Sequence, residues 1–169
     1  MPEKKTLRRA EKDKRAGKSA STQAGEFVRE EVHHVREGKH GARSAKQAIA
    51  IGLSKARRAG VDLPAPRPGT TSKATREKAE RETSRAKGRA RPAKTSPRRR
   101  QATREALERE GRAAGSRTAL SRQARAASRR RTASDRSAAA KRAARTKGSA
   151  TRKAAAKKAA RTRRARASS

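Results

Sequence analysis

Gly38-Lys39-His40-Gly41 is the stretch whose residue types best suit a chemical task. Glycine lets a backbone come close to a ligand, and a loop that feeds a helix N-terminus offers free amides. Lys39, Arg43 and Lys46 add positive charge, so the chemistry would be the holding of a phosphate. The plainer alternative is an interhelical turn, with Gly38 as a helix C-cap and solvated cations. His33, His34 and His40 come next. Adjacent histidines on a helix point about 100° apart. No cysteine accompanies them, and Glu30 or Glu37 would have to assist. They read as solvated or DNA-facing side chains, and no metal or other cofactor is expected. Glu30 and Glu31 face different sides of a helix and make no acid–base pair. With no nucleophile–base set and no Walker or dinucleotide glycine motif, the chain does not read as an enzyme, and no small-molecule substrate is expected.

Ser96-Pro97-Arg98-Arg99-Arg100, preceded by Thr95, offers a second chemistry. Arginines next to a turn can enter a narrow minor groove; an ordinary basic linker is the alternative. Lys87-Gly88-Arg89-Ala90-Arg91-Pro92 is interrupted at Ala90 and is not read as an AT-hook.

The elements that would position these residues are few. The chain has 169 residues, a formal net charge of +36 and one aromatic side chain. Nine of its 13 large apolar residues lie between Ser21 and Leu63. A chain so charged and so poor in large apolar groups is expected to be mostly disordered around a small all-α module. That module is a helical hairpin, about 22–37 and 45–59. Ala24, Val28, Val32 and Val35 recur at helical spacing, with Phe27 beside them. Gly38 follows as the helix stop. Ser44 and Gln47 make a capping-box pattern at the second start. Ala45, Ala48, Ile49, Gly52, Leu53 and Ala56 form one face, on which Gly52 permits close approach. Val61, Leu63 and Pro64 are positioned to fold back over the open end.

A module of about 40 residues is marginal alone, which predicts a homodimer through the hairpin or folding coupled to binding. Residues 1–20 read as a disordered mixed-charge arm or a fraying helix. Residues 64–110 read as a Pro/Gly-broken basic linker with transient, solvated helices. Residues 111–169 carry 20 Lys/Arg against one acid, Asp135, and read as a disordered Arg/Ala/Lys-rich tail. Residues 150–166 would become a helix only against a polyanion. The absence of cysteine, of an apolar leader and of a membrane-length apolar run points to a cytoplasmic, nucleoid-associated protein without a membrane partner.

The segment STQAGEFVREEVHHVREGKHGARSAKQAIAIGLSKARRAG resembles a small, basic bacterial family of uncharacterised proteins. The resemblance implies a bacterial source and little biochemistry. The tail is similar in composition to linker-histone tails and to bacterial histone-like proteins. The GKHG loop resembles the GxxG loop of KH modules, although no strand run is present to make a KH sheet. Ser96–Arg100 resembles the Ser-Pro-basic-basic motif of histone tails.

These observations lead to a histone-like, largely sequence-independent nucleic-acid-binding protein, with duplex DNA favoured over RNA because aromatic stacking groups are missing. The residues expected to meet nucleic acid are Lys39, His40, Arg43, Lys46, Lys55, Arg57, Arg58, Ser96, Arg98, Arg99, Arg100, Arg129, Arg130, Arg131, Lys141, Arg142, Arg145, Lys153, Lys157, Lys158, Arg161, Arg163, Arg164 and Arg166. Two alternatives stand: a protein-interaction module tethered to the nucleoid by its tail, and a ribosome- or RNA-associated protein.

Overall fold

Alanine, serine caps and left-handed glycines organise far more of this chain than its large apolar residues do. The computed structural model describes residues 2–88 and 96–167, with backbone only at 146, 147, 166 and 167. Among the described residues there are seven α-helices, one 3-10 turn and no strand: α1 Lys4–Arg15, α2 Ala20–Glu37, α3 Ala45–Arg58, α4 Lys73–Ala86, α5 Pro97–Glu108, the 3-10 turn Ala113–Gly115, α6 Arg117–Arg129 and α7 Ala133–Ala167. The chain divides into two compact units, residues 1–123 and 124–169, with the division inside α6.

The expectation of a mostly disordered chain is overturned: 75% of it is helical. Local chemistry accounts for much of this. Ser19, Ser44, Ser72 and Ser96 each cap a helix, accepting from a backbone N–H in its first turn. Each such cap stabilises by about 1 kcal/mol. Thr132 caps α7 by accepting from the Asp135 amide, and its hydroxyl donates to the Asp135 carboxylate. Alanine then propagates α7 at the lowest backbone cost. The like-charge repulsion expected to melt this tail is spread over an exposed helix, where each i,i+4 pair costs only about 0.2–0.5 kcal/mol. α7 is broken once, at Gly148, whose φ of 66° and ψ of 166° are not helical.

In the first unit, α2 and α3 occupy the two expected segments and pack on each other. The hairpin is covered by further parts of the same chain. α1 packs on α2, α4 on α3, and the 3-10 turn on both α2 and α3. So the N-terminal arm is a packed helix with Thr6, Ala10 and Asp13 buried. α4, expected to be solvated and fleeting, buries Ala79 and Glu82. The Ser54 hydroxyl of α3 donates to Glu82 Oε1 at 2.5 Å.

Two apolar clusters result. Ala10, Ala24, Phe27, Ala56, Val61 and Leu63 form the first; Val61 and Leu63 do fold back against Phe27. Val35, Ala42, Ala48 and Ala114 form the second. Alanine supplies six of these ten residues, so the helices meet at short range and dispersion between backbones replaces bulky side chains. No described helix is long and apolar enough to cross a membrane.

Candidate functional site

Three of the four GKHG amides, those of Gly38, Lys39 and Gly41, are engaged within the chain. The Gly38 and Lys39 N–H groups donate to Val35 and His34 carbonyls at 3.3 and 3.0 Å, closing α2. Gly38 has φ 75° and serves as the left-handed C-cap. The Gly41 N–H donates to the Leu107 carbonyl at 2.8 Å and the Ala42 N–H to the Gly111 carbonyl at 3.1 Å. The Arg43 N–H donates to Gln47 Oε1 at 2.8 Å. Five of the amides from Gly38 to Arg43 are thus already bonded, and residues 107–112 lie over the loop.

Gly41 makes this cover possible: a Cβ there would sit 1.7 Å from the Glu110 carbonyl oxygen. Gly41→Ala is therefore expected to lift residues 107–112 off the loop. The measurement is amide hydrogen exchange, which should accelerate at residues 41 and 42 while α2 and α3 stay protected. Unchanged protection at both amides would show that the close approach does not exist.

Beneath the loop lies a buried charge cluster. Glu31 on α2 is 0% exposed. Its Oε2 is 2.5 Å from Lys55 Nζ of α3, and its Oε1 is 3.1 Å from His40 Nε2 of the loop. Lys55 also lies 3.6 Å from Glu30 Oε1, and Glu30 Oε2 accepts the Glu3 N–H at 3.1 Å. The Glu3 carboxylate meets His34 Nε2 at 2.8 Å and Lys39 Nζ at 3.4 Å. Hydrogen bonds from His34 and then Lys39 hold the Glu3 carboxyl below the usual carboxylate range. That contribution is present above the ordinary carboxylate pKa and is lost as pH falls through the lower folded value. Lys39 is shifted upward, chiefly by its hydrogen bond with Glu37.

This placement reassigns several residues expected to meet nucleic acid. Lys55 is turned inward onto two carboxylates, and His40 is largely covered. Arg57 is buried, its guanidinium 3.4 Å from the Pro64 carbonyl. Burial pushes its pKa down, against the opposing attraction of Glu82. Arg43 is exposed but lies 3.4 Å from Glu110. Lys46 and Arg58 are exposed. Ser96 is the N-cap of α5, accepting from the Arg99 amide at 3.3 Å, and Arg98, Arg99 and Arg100 fall in that helix's first turn. Cations are electrostatically disfavoured at this end of a helix. Thr95 and Arg89–Pro92 lie outside the described residues.

Arg58, Arg99 and Arg100 come together with Arg85 around a cleft of about 920 Å³, whose apolar side carries Ile51 and Leu107. The remaining expected residues are exposed: Arg129, Arg130 and Arg131 at and after the end of α6, and Lys141, Arg142, Arg145, Lys153, Lys157, Lys158, Arg161, Arg163 and Arg164 on α7. The Arg166 side chain lies outside the described residues. On the stretch of α7 beyond Gly148, Lys153, Lys157, Arg161 and Arg164 recur at spacings of four, four and three, which places them on one helical face.

Sequence reasoning names Glu30 only as an assistant to the histidines and gives Glu31 no binding role. Glu31 stands four residues after Phe27 and four before Val35. That places a carboxylate on the apolar face of α2, and this is the signal that could have revealed it.

Residues 12–67 match a family of unknown function (DUF6496). The matched stretch runs from α1 to just beyond the return of Val61 and Leu63, and includes α2, α3, the loop and the buried cluster apart from Glu3. It does not reach α4–α7. No curated protein and no solved structure shows significant similarity to the chain.

Proposed function

We propose that the protein binds duplex nucleic acid, DNA above RNA, through the phosphate backbone and largely without regard to sequence. The observation that carries this reading is α7, which bears 13 Lys/Arg against the single acid Asp135 and no large apolar residue. A helix with nothing to bury and so dense a charge has its complement in a polyanion. Its alanines keep it slender, and an α-helix of about 10–12 Å diameter fits the major groove of B-DNA, about 12 Å wide. The lack of aromatic side chains, one in 169 residues, weighs against reading stacked or single-stranded bases. The first unit supplies a compact body on which Arg58, Arg85, Arg99 and Arg100 form a second basic surface. The tail's similarity to histone-like basic tails and a nucleoid location belong to this same reading.

The test is the salt dependence of affinity for a random-sequence duplex, measured by fluorescence anisotropy with the full chain. If ten cations contact phosphate, the slope of log K against log salt is about −9. Lys153→Gln, Lys157→Gln and Arg161→Gln together should flatten it by about 2.7, near 0.9 per lost contact. Scrambling the duplex sequence should change little. A slope near zero, or no flattening in the triple variant, would overturn the reading.

A further inference from the structure

We propose that Glu31, His34 and His40 form a binding site for a divalent transition-metal ion, with zinc as the best match. One ligand atom from each lies within 4.8 Å of the others. Glu31 and His34 are one helical turn apart on α2, and the α2–α3 loop brings His40 over them. His33, the neighbour of His34, points away: it is exposed and pairs with Glu37 at 2.9 Å.

Proximity alone would not make a site; the state of Glu31 and His40 adds to it. Glu31 is fully buried, yet neither carboxylate oxygen makes a well-aligned hydrogen bond. Lys55 covers Oε2, and Oε1 faces His40 Nε2 at 3.1 Å. His40 Nδ1 is 3.0 Å from the Gly41 carbonyl oxygen. A carbonyl can only accept, so Nδ1 carries the hydrogen. In a neutral imidazole Nε2 is then a bare lone pair, and it confronts a carboxylate oxygen. Two acceptors face each other unless a cation stands between them.

Charge points the same way. Glu30 and Glu31 are both buried, and among the described residues a single lysine, Lys55, lies against both. A buried carboxylate is costly without full compensation. Two imidazoles and a carboxylate are donors that zinc takes readily, at about 2.0–2.2 Å. Such bonds in a tetrahedron set ligand atoms about 3.3–3.5 Å apart, close to the spacing already present between His40 and Glu31. The Gly41 carbonyl fixes the tautomer and aims Nε2 inward, the second contact that metal-binding histidines commonly make. Glu3 accepts from His34 Nε2 at 2.8 Å, which leaves His34 Nδ1 as the nitrogen with a lone pair for the ion. An ion here ties α2 to the loop and stiffens a small fold whose core is mainly alanine. The inference is independent of the nucleic-acid reading.

The experiment uses the full chain, stripped with a chelator and titrated with Zn²⁺ and with Co²⁺. One ion per chain and a Co²⁺ visible spectrum of four-coordinate type are expected. His34→Gln and His40→Gln should each weaken binding at least tenfold, with helical content unchanged by circular dichroism. His33→Gln should bind like the parent chain. Equal losses in all three variants, or no loss in any, would overturn the proposal. So would histidine ¹⁵N spectra showing His40 doubly protonated and unmoved by Zn²⁺, because a proton would then be the missing cation.

Discussion

Lys55→Ala is expected to destabilise the first unit by about 3–5 kcal/mol, the usual cost of removing one partner from a buried ion pair. The size follows from what the lysine leaves behind. Its ammonium is 2.5 Å from Glu31 Oε2 and 3.6 Å from Glu30 Oε1. Glu31 is wholly shielded from water and Glu30 nearly so. Without Lys55 the nearest remaining charge partner of Glu31 is His40. The loss is a large fraction of the roughly 5–15 kcal/mol that holds an ordinary domain together. It should be measured in metal-free buffer, by the disappearance of α2 and α3 amide resonances in a urea series, because α7 would dominate a circular dichroism signal. Lys55→Met combined with Glu31→Gln should recover part of the loss by removing the buried charge as well. If Lys55→Ala costs less than about 1 kcal/mol, the pair is no stronger than an exposed one, and the buried cluster is not what it is described to be.

Gly52→Val is expected to cost about 3 kcal/mol, at the upper end of overpacking penalties. A Cβ at Gly52 would stand 2.7 Å from Val28 Cα, 3.0 Å from Val28 N and 3.1 Å from the Phe27 carbonyl oxygen. All three are backbone atoms of α2, so no side chain can rotate aside and the two helices must separate. Separation would loosen both alanine-rich clusters, which depend on short range. Gly52→Ala should also destabilise, although alanine in place of a helical glycine normally gains about 1 kcal/mol. Gly25 on α2 is the control, since nothing lies within 4 Å of a Cβ there. Gly25→Ala should stabilise by the normal amount in the same urea series. If Gly52→Ala stabilises too, α2 and α3 do not approach as closely as described.

Gly52 also shows what could be read in advance. A glycine within an alanine-rich face announces a close helix crossing, and Ser44 with Gln47 announces where the second helix begins. α2, α3 and the return of Val61 and Leu63 follow from such local patterns. The helices around them do not, because they pack without large apolar residues. α1 buries Thr6, Ala10 and Asp13, and α4 buries Ala79 and Glu82. Those residue types are ordinary on a solvated helix, and only their tertiary neighbours make them interior. The cover over the GKHG loop was illegible for another reason: it is held by backbone groups of Leu107 and Gly111, which every residue possesses. The cluster beneath was partly legible. Adjacent histidines cannot share an ion, and His33 is indeed turned away. Pairing His34 with His40 needs the loop's path, and pairing Glu31 with Lys55 needs the helix crossing.

That cover over the loop also bears on the order in which the chain assembles. α2 and α3 are joined by a short connection and can meet early. Seating residues 107–112 on Gly41 and Ala42 must close a loop of roughly 65 residues, an entropic cost of about (3/2)RT ln n, or ~4 kcal/mol. Against it stand two backbone hydrogen bonds at about 1 kcal/mol each, the burial of Ala114, and the Arg36 Nε–H bond to the Gly115 carbonyl at 2.7 Å. The balance is close. Such a segment is expected to open locally, and each opening would uncover the amides of residues 41 and 42 without unfolding the helices that flank them.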